Sequence, residues 1–160
     1  MVAVHIPAGL IAVISGAGAM LAEKGSPTHR RRGLTYLVAL AVVWLSGLGL
    51  VITRWPRFPH LLALALMAGG LASAGYAARH RPRPTLHLVC MGASYIAMLT
   101  AFYVDNGPKL PLWNRLPPVA FWLLPSLIGI PMIVRGVRRR VRPEAVRSHS
   151  SSAGWDDAPR

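Results

Sequence analysis

GLTYLVALAVVWLSGLGLVIT, residues 33–53, runs for 21 positions without a charged side chain, between Arg30-Arg31-Arg32 on one side and Arg54 on the other. A helix rising about 1.5 Å per residue needs about 20 apolar residues to cross about 30 Å of hydrocarbon, so this stretch matches one bilayer crossing. Working outward, the pattern recurs. Residues 1–22, 58–78, 84–104 and 116–134 are equally free of charge, and the 18 Lys and Arg and 5 Asp and Glu are confined to the connections and the C-terminal segment. The expected fold is all-α, a polytopic transmembrane helical bundle of five spans at about 3–22, 33–53, 60–78, 85–104 and 117–134. Residues 135–160 follow as a basic juxtamembrane stem and a disordered cytoplasmic tail.

With 53% hydrophobic and 14% charged residues and a mean hydropathy of +0.42, the chain is too apolar for a soluble enzyme or a disordered protein. The lone cysteine, Cys90, rules out an intrachain disulfide, and without a CxxCH motif there is no covalent c-type haem. The net charge of +13 is read as orientation, not as nucleic-acid binding. Alternate connections divide the cations unevenly: Lys24, Arg30–Arg32, Arg79, Arg81, Arg83 and the arginines from Arg135 onward face one side, and only Arg54, Arg57, Lys109 and Arg115 the other. Cytoplasmic loops retain Lys and Arg, so the N-terminus is expected outside and the C-terminus in the cytoplasm. The first stretch lacks a positive region ahead of its apolar run and is longer than a signal-peptide core, so it is expected to be retained as a span.

Ser26-Pro27 reads as an N-cap followed by proline at the first helical position, and Pro59 and Pro84 stand equivalently at the starts of spans three and four. Trp55, Phe58 and Trp113 suit one membrane edge. Pro125 and Pro131 should kink the fifth span unless neighbours satisfy the freed carbonyls. Small residues every fourth position mark helix contacts in lipid, and three ladders are expected: Ala8/Ala12/Gly16, Ala65/Gly69/Ser73/Ala77 and Ala93/Ala97/Ala101.

No Asp, Glu, Lys or Arg falls inside a span, which leaves a carboxylate relay, a Ser-His-Asp site or an HExxH zinc site without support. Catalysis is therefore not indicated. Asp105, at the end of the fourth span before Asn106-Gly107, reads as a turn residue. Histidines are the remaining candidates. His5 and His60 begin spans one and three at the outer face; His29 and His87 begin spans two and four at the cytoplasmic face. In a compact bundle each pair lies at one depth, as two bis-histidine b-type haems, one per leaflet, would require for electron transfer across the membrane. A helix N-terminus also favours the neutral, ligating imidazole. The plainer reading is that interfacial histidines are solvated by water and headgroups and bind nothing. His87 has Cys90, Met91 and Ser94 on its face, so a soft metal site of His87 and Met91 is a further option, against simple packing.

Lys24-Gly25-Ser26-Pro27-Thr28-His29-Arg30-Arg31-Arg32-Gly33, preceded by His5, resembles the opening of a family of small bacterial membrane proteins called domain of unknown function 2306. His87-Leu88-Val89-Cys90-Met91-Gly92-Ala93-Ser94-Tyr95-Ile96, Asn106-Gly107 through Trp113, Leu124-Pro125 and Ile128-Gly129-Ile130-Pro131 are similar to its second half. The resemblance covers residues 5 to about 134 and implies a multi-pass protein of the bacterial inner membrane; it brings no activity. Two other classes stand beside haem-linked electron transfer. A transporter subunit would have to line a path with Ser15, Ser46, Ser73, Ser94, Thr100 and Ser126. A non-catalytic component would bind lipid, a membrane protein partner or further copies of itself.

Overall fold

A computed structural model describes residues 1–54, 59–79, 84–111 and 113–152. It contains α1 (Val2–Leu21), α2 (Pro27–Arg54), α3 (Pro59–Ala78), α4 (Pro84–Asn106) and α5 (Pro118–Ser152), with short 3-10 turns at Gly107–Lys109 and Trp113–Arg115. All five α-helices are long and apolar enough to cross a membrane, and no strand occurs among the described residues. The fold is an all-α multi-pass membrane bundle.

Proline opens α2, α3 and α4 as expected, because its fixed φ suits the first helical turn and its missing N–H is not needed there. Ser26 caps α2: its Oγ accepts the His29 N–H at 3.1 Å. The chain turns from α1 to α2 through Gly25 at φ +87°, a conformation that strains any side chain.

α1 packs along α2 and α3 along α4; α5 lies on α4, while α2–α3 and α1–α4 contacts join the pairs. The ends of α1 and α3 and the starts of α2 and α4 share one end of the bundle, which carries Arg30–Arg32 and Arg79 and is termed the basic end. The residue sizes are arranged inside out. Ala12, Ala68, Ala72 and Ala97 are buried, whereas Ile14, Leu45, Leu66 and Leu127 are exposed. Close backbone approach brings helices together in lipid, and many of the large aliphatic side chains face outward.

The α1 ladder Ala8/Ala12/Gly16 is buried as expected. On α3 the expected stripe is displaced: Leu64, Ala68, Ala72 and Gly75 are buried, while Ser73 and Ala77 are exposed and Gly69 turns to the Trp44 ring. In α4, Ala97 is buried but its companions on the inner face are Cys90, Ser94, Tyr95 and Met98. α5 runs past Pro125 and Pro131 and through the basic stem to Ser152 as one helix. The residues from Arg138 to Arg142 extend a helix already nucleated in the span, where each added residue forms one more ladder bond. Trp55, Phe58 and residues 153–160 lie outside the described residues; Trp113 stacks beside Tyr103, ring centres 4.8 Å apart.

A hydroxyl relay crosses the core. Ser94, fully buried, donates to the Ala68 carbonyl at 2.8 Å, so the Tyr36 hydroxyl, 2.8 Å away, donates to Ser94. Tyr95 donates to the Val13 carbonyl at 2.9 Å, and the two tyrosine rings meet edge to face at 5.9 Å. These contacts tie α1, α2, α3 and α4 together. Ser94→Ala is expected to lower stability by about 0.6–1.7 kcal/mol, the range of interhelical hydrogen bonds in lipid. Tyr36→Phe combined with Ser94→Ala should cost less than Ser94→Ala alone, since no orphaned hydroxyl is left. Unfolding titrations in mixed micelles measure both, and equal losses would contradict the relay.

Candidate functional site: a histidine pair at the basic end

Side chains that follow α1 and α3 in the chain donate to carbonyls of their C-terminal turns, where Gly18 O also accepts the Ala22 N–H at 3.1 Å. For α1, Arg32 Nη1 donates to Gly18 O at 3.1 Å, Lys24 Nζ to Met20 O at 2.7 Å, and His29 Nδ1 to Ala19 O at 2.9 Å. For α3, His87 Nδ1 donates to Gly75 O at 2.7 Å. A carbonyl only accepts, so each ring carries its proton on Nδ1 and, when neutral, presents an Nε2 lone pair.

Capping two helices does not require the two rings to meet, yet they do. The His29 and His87 ring centres are 6.4 Å apart at an interplanar angle of 81°. Both rings are half-buried. Gly75 helps set this geometry. A Cβ at residue 75 would lie 2.9 Å from Met91 Sδ and 3.2 Å from Cys90 Cβ, so its absence lets α4 approach α3 closely enough for His87 to reach the carbonyl. Met91 thus lays its thioether over the α3 backbone, and Cys90 is a buried free thiol. On α2, one turn inward from His29, a Cβ at Gly33 would meet nothing within 4 Å, which leaves space beside the pair.

The outer histidines have different neighbours. His5 Nδ1 lies 2.9 Å from Ser46 Oγ on α2, and His60, exposed on α3, has its ring 6.0 Å from that of Trp122 on α5. His80 and the His149 side chain lie outside the described residues. Asp105 stands 4.0 Å from Lys109, an exposed pair of little energetic weight. Among the described residues no group of three His, Cys, Asp or Glu is placed to hold a metal ion.

Of the span hydroxyls, Ser15, Ser46, Ser73 and Thr100 bond back to carbonyls of their own helices, which satisfies them without a lined path. The sequence reading passed over Tyr36. A spacing signal was present: Tyr36 follows His29 by seven residues and Ser94 follows His87 by seven, so each histidine lies about 10.5 Å along the helix from a member of the hydroxyl relay, on the same face. No protein-family model, curated protein or solved structure matches the chain.

Proposed function

We propose that the protein binds one b-type haem at the basic end, which His29 and His87 would hold, and works in electron transfer. The observation that carries this reading is the 6.4 Å ring separation. Two imidazoles from different helices brought this close would together hold the iron of a single haem through Nε2. A bare ion would want more protein ligands than two, whereas a porphyrin brings four nitrogens and asks for two. The Nδ1–H bonds to Ala19 O and Gly75 O fix the tautomer and orient the rings, as partners behind metal-bound histidine do. The open face at Gly33 offers room for a macrocycle edge. When bound, the iron would exchange single electrons; the chain supplies ligands, orientation and a low-dielectric surround. One centre is proposed instead of two because the ring of His5 lies against Ser46 on α2 and that of His60 against Trp122 on α5, so the contacts of the outer histidines are with different helices.

The arginine excess at the basic end supports placing it in the cytoplasm, and the resemblance to the domain of unknown function 2306 family supports a bacterial inner membrane. A visible spectrum of the full chain, purified in mild detergent from haem-supplemented cells, tests the proposal. A Soret band that shifts on dithionite reduction, with sharpened α and β bands, is expected. A featureless spectrum at full haem supply refutes it, and the pair is then a capping device in a non-catalytic membrane component.

A further inference from the structure

Between α1 and α2, on the face turned away from α3 and α4, two clefts of about 730 and 580 Å³ adjoin at Ile11 and Thr35. Together they form one groove. Its walls along Val4, Pro7, Leu34, Val38 and Val42 are apolar. At the basic end the walls change to Thr28, Arg31 and Arg32, with Gly18 opposite. From Thr28 to Val42 the groove runs 14 residues of α2, about 21 Å at 1.5 Å per residue, longer than the roughly 15 Å of one hydrocarbon leaflet.

The mouth of the groove is built as well as charged. Gly18 has no side chain; a Cβ there would lie 3.0 Å from Arg32 Cδ, so the Arg32 stem lies flat against the end of α1 while Nη1 bonds the Gly18 carbonyl at 3.1 Å. That bond uses one of five guanidinium donors and holds the rest at the cleft. Arg31, one position earlier on the same wall, has no ion-pair partner among the described residues. Two arginines lining one mouth, at the end of an apolar trough, match a ligand with a phosphate at one end and hydrocarbon at the other.

We infer that this groove is a binding site for one anionic phospholipid, its phosphate between Arg31 and Arg32 and one acyl chain along the α1–α2 trough. The inference is independent of the haem proposal, and its test is read without haem.

Phosphatidylglycerol and phosphatidylcholine of the same chains are titrated into the detergent-solubilised full-length protein, and the first bound lipid is followed by native mass spectrometry. The first equivalent of phosphatidylglycerol is expected to bind about tenfold more tightly, a difference within reach of charge-assisted hydrogen bonds. Arg31→Gln, which removes no bond within the bundle, should reduce that preference to about twofold or less, and Arg32→Gln should act similarly. Thr35→Trp, which blocks the junction of the two clefts, should weaken both lipids alike. Arg138→Gln with Arg139→Gln should leave the preference intact. Equal binding of the two lipids overturns the proposal. So does a preference that survives Arg31→Gln, or one lost equally with Arg138 and Arg139, since that is diffuse attraction to a basic surface. Displacement of the lipid by millimolar glycerol phosphate would make this a soluble-phosphate site and overturn it too.

Discussion

His87→Ala is expected to remove the haem spectrum, and His29→Ala to do the same, while His5→Ala and His60→Ala keep it. Loss of a partner behind a metal-bound histidine typically weakens metal binding about 10–100-fold, so deletion of the ligand itself should lower haem retention by at least about 100-fold. Added imidazole should restore a six-coordinate spectrum to His87→Ala, a rescue that no capping role provides. Gly75→Ala approaches the same site from behind. Its methyl would press on Met91 and Cys90 and move the carbonyl that holds His87, so about tenfold weaker retention with both ligands present is expected. If the spectrum instead depends on His5 and His60, the centre lies at the opposite end of the bundle. A pair that only caps would show a different pattern: each alanine variant would lose roughly 0.5–2 kcal/mol of helix-end stability, with no change in colour.

The second large effect is expected at the α1–α4 crossing. Gly16 lies directly under the Tyr95 ring: a Cβ there would clash with Cε2, fall 2.6 Å from Cδ2 and crowd Tyr36 Cδ2 at 3.1 Å. Gly16→Val should destabilise the bundle by about 1–3 kcal/mol through overpacking. The strain falls on a ring pinned by its hydroxyl to Val13 and its edge contact with Tyr36, so it has little room to give. Gly16→Val with Tyr95→Leu should recover much of the loss, because the smaller side chain frees the volume and Val13 O keeps its place in the helix ladder. Thermal unfolding in detergent compares the two variants with wild type; a Gly16→Val midpoint equal to wild type would show that α1 does not pack on Tyr95.

How far the site was legible in the sequence depends on which residues are asked about. His29 and His87 could be nominated because each stands three residues after a helix-opening Ser or Pro, and alternating helix direction puts them at the same end. His5 and His60 also stand near helix starts and share the other end, yet they contact Ser46 and Trp122. Depth along the membrane was readable; rotation about each helix axis was not. α3 shows the difficulty most clearly. Ala or Gly stands at positions 63, 65, 68, 69, 70, 72, 74, 75, 77 and 78, so several faces are equally smooth and spacing cannot choose among them. The choice is made by α4, whose Ser94 hydroxyl takes the Ala68 carbonyl and whose Met91 and Cys90 lie over Gly75.

The all-α class, the five spans, the proline-led starts of α2, α3 and α4 and the Ser26 cap are legible in the chain alone. These follow from local causes: the cost of a charge in hydrocarbon, the fixed φ of proline and a hydroxyl within reach of an N–H three residues on. Only the tertiary structure decided which small-residue stripe of α3 is buried, that Tyr36 and Ser94 join across the core, that His29 and His87 meet and that α1 and α2 leave a groove ending at Arg31 and Arg32. Each of these depends on how helices rotate and approach. In a bundle with small core residues and a uniformly apolar exterior, that choice rests on a few hydrogen bonds and on the absence of single Cβ atoms at Gly16 and Gly75, contacts between residues far apart in the chain.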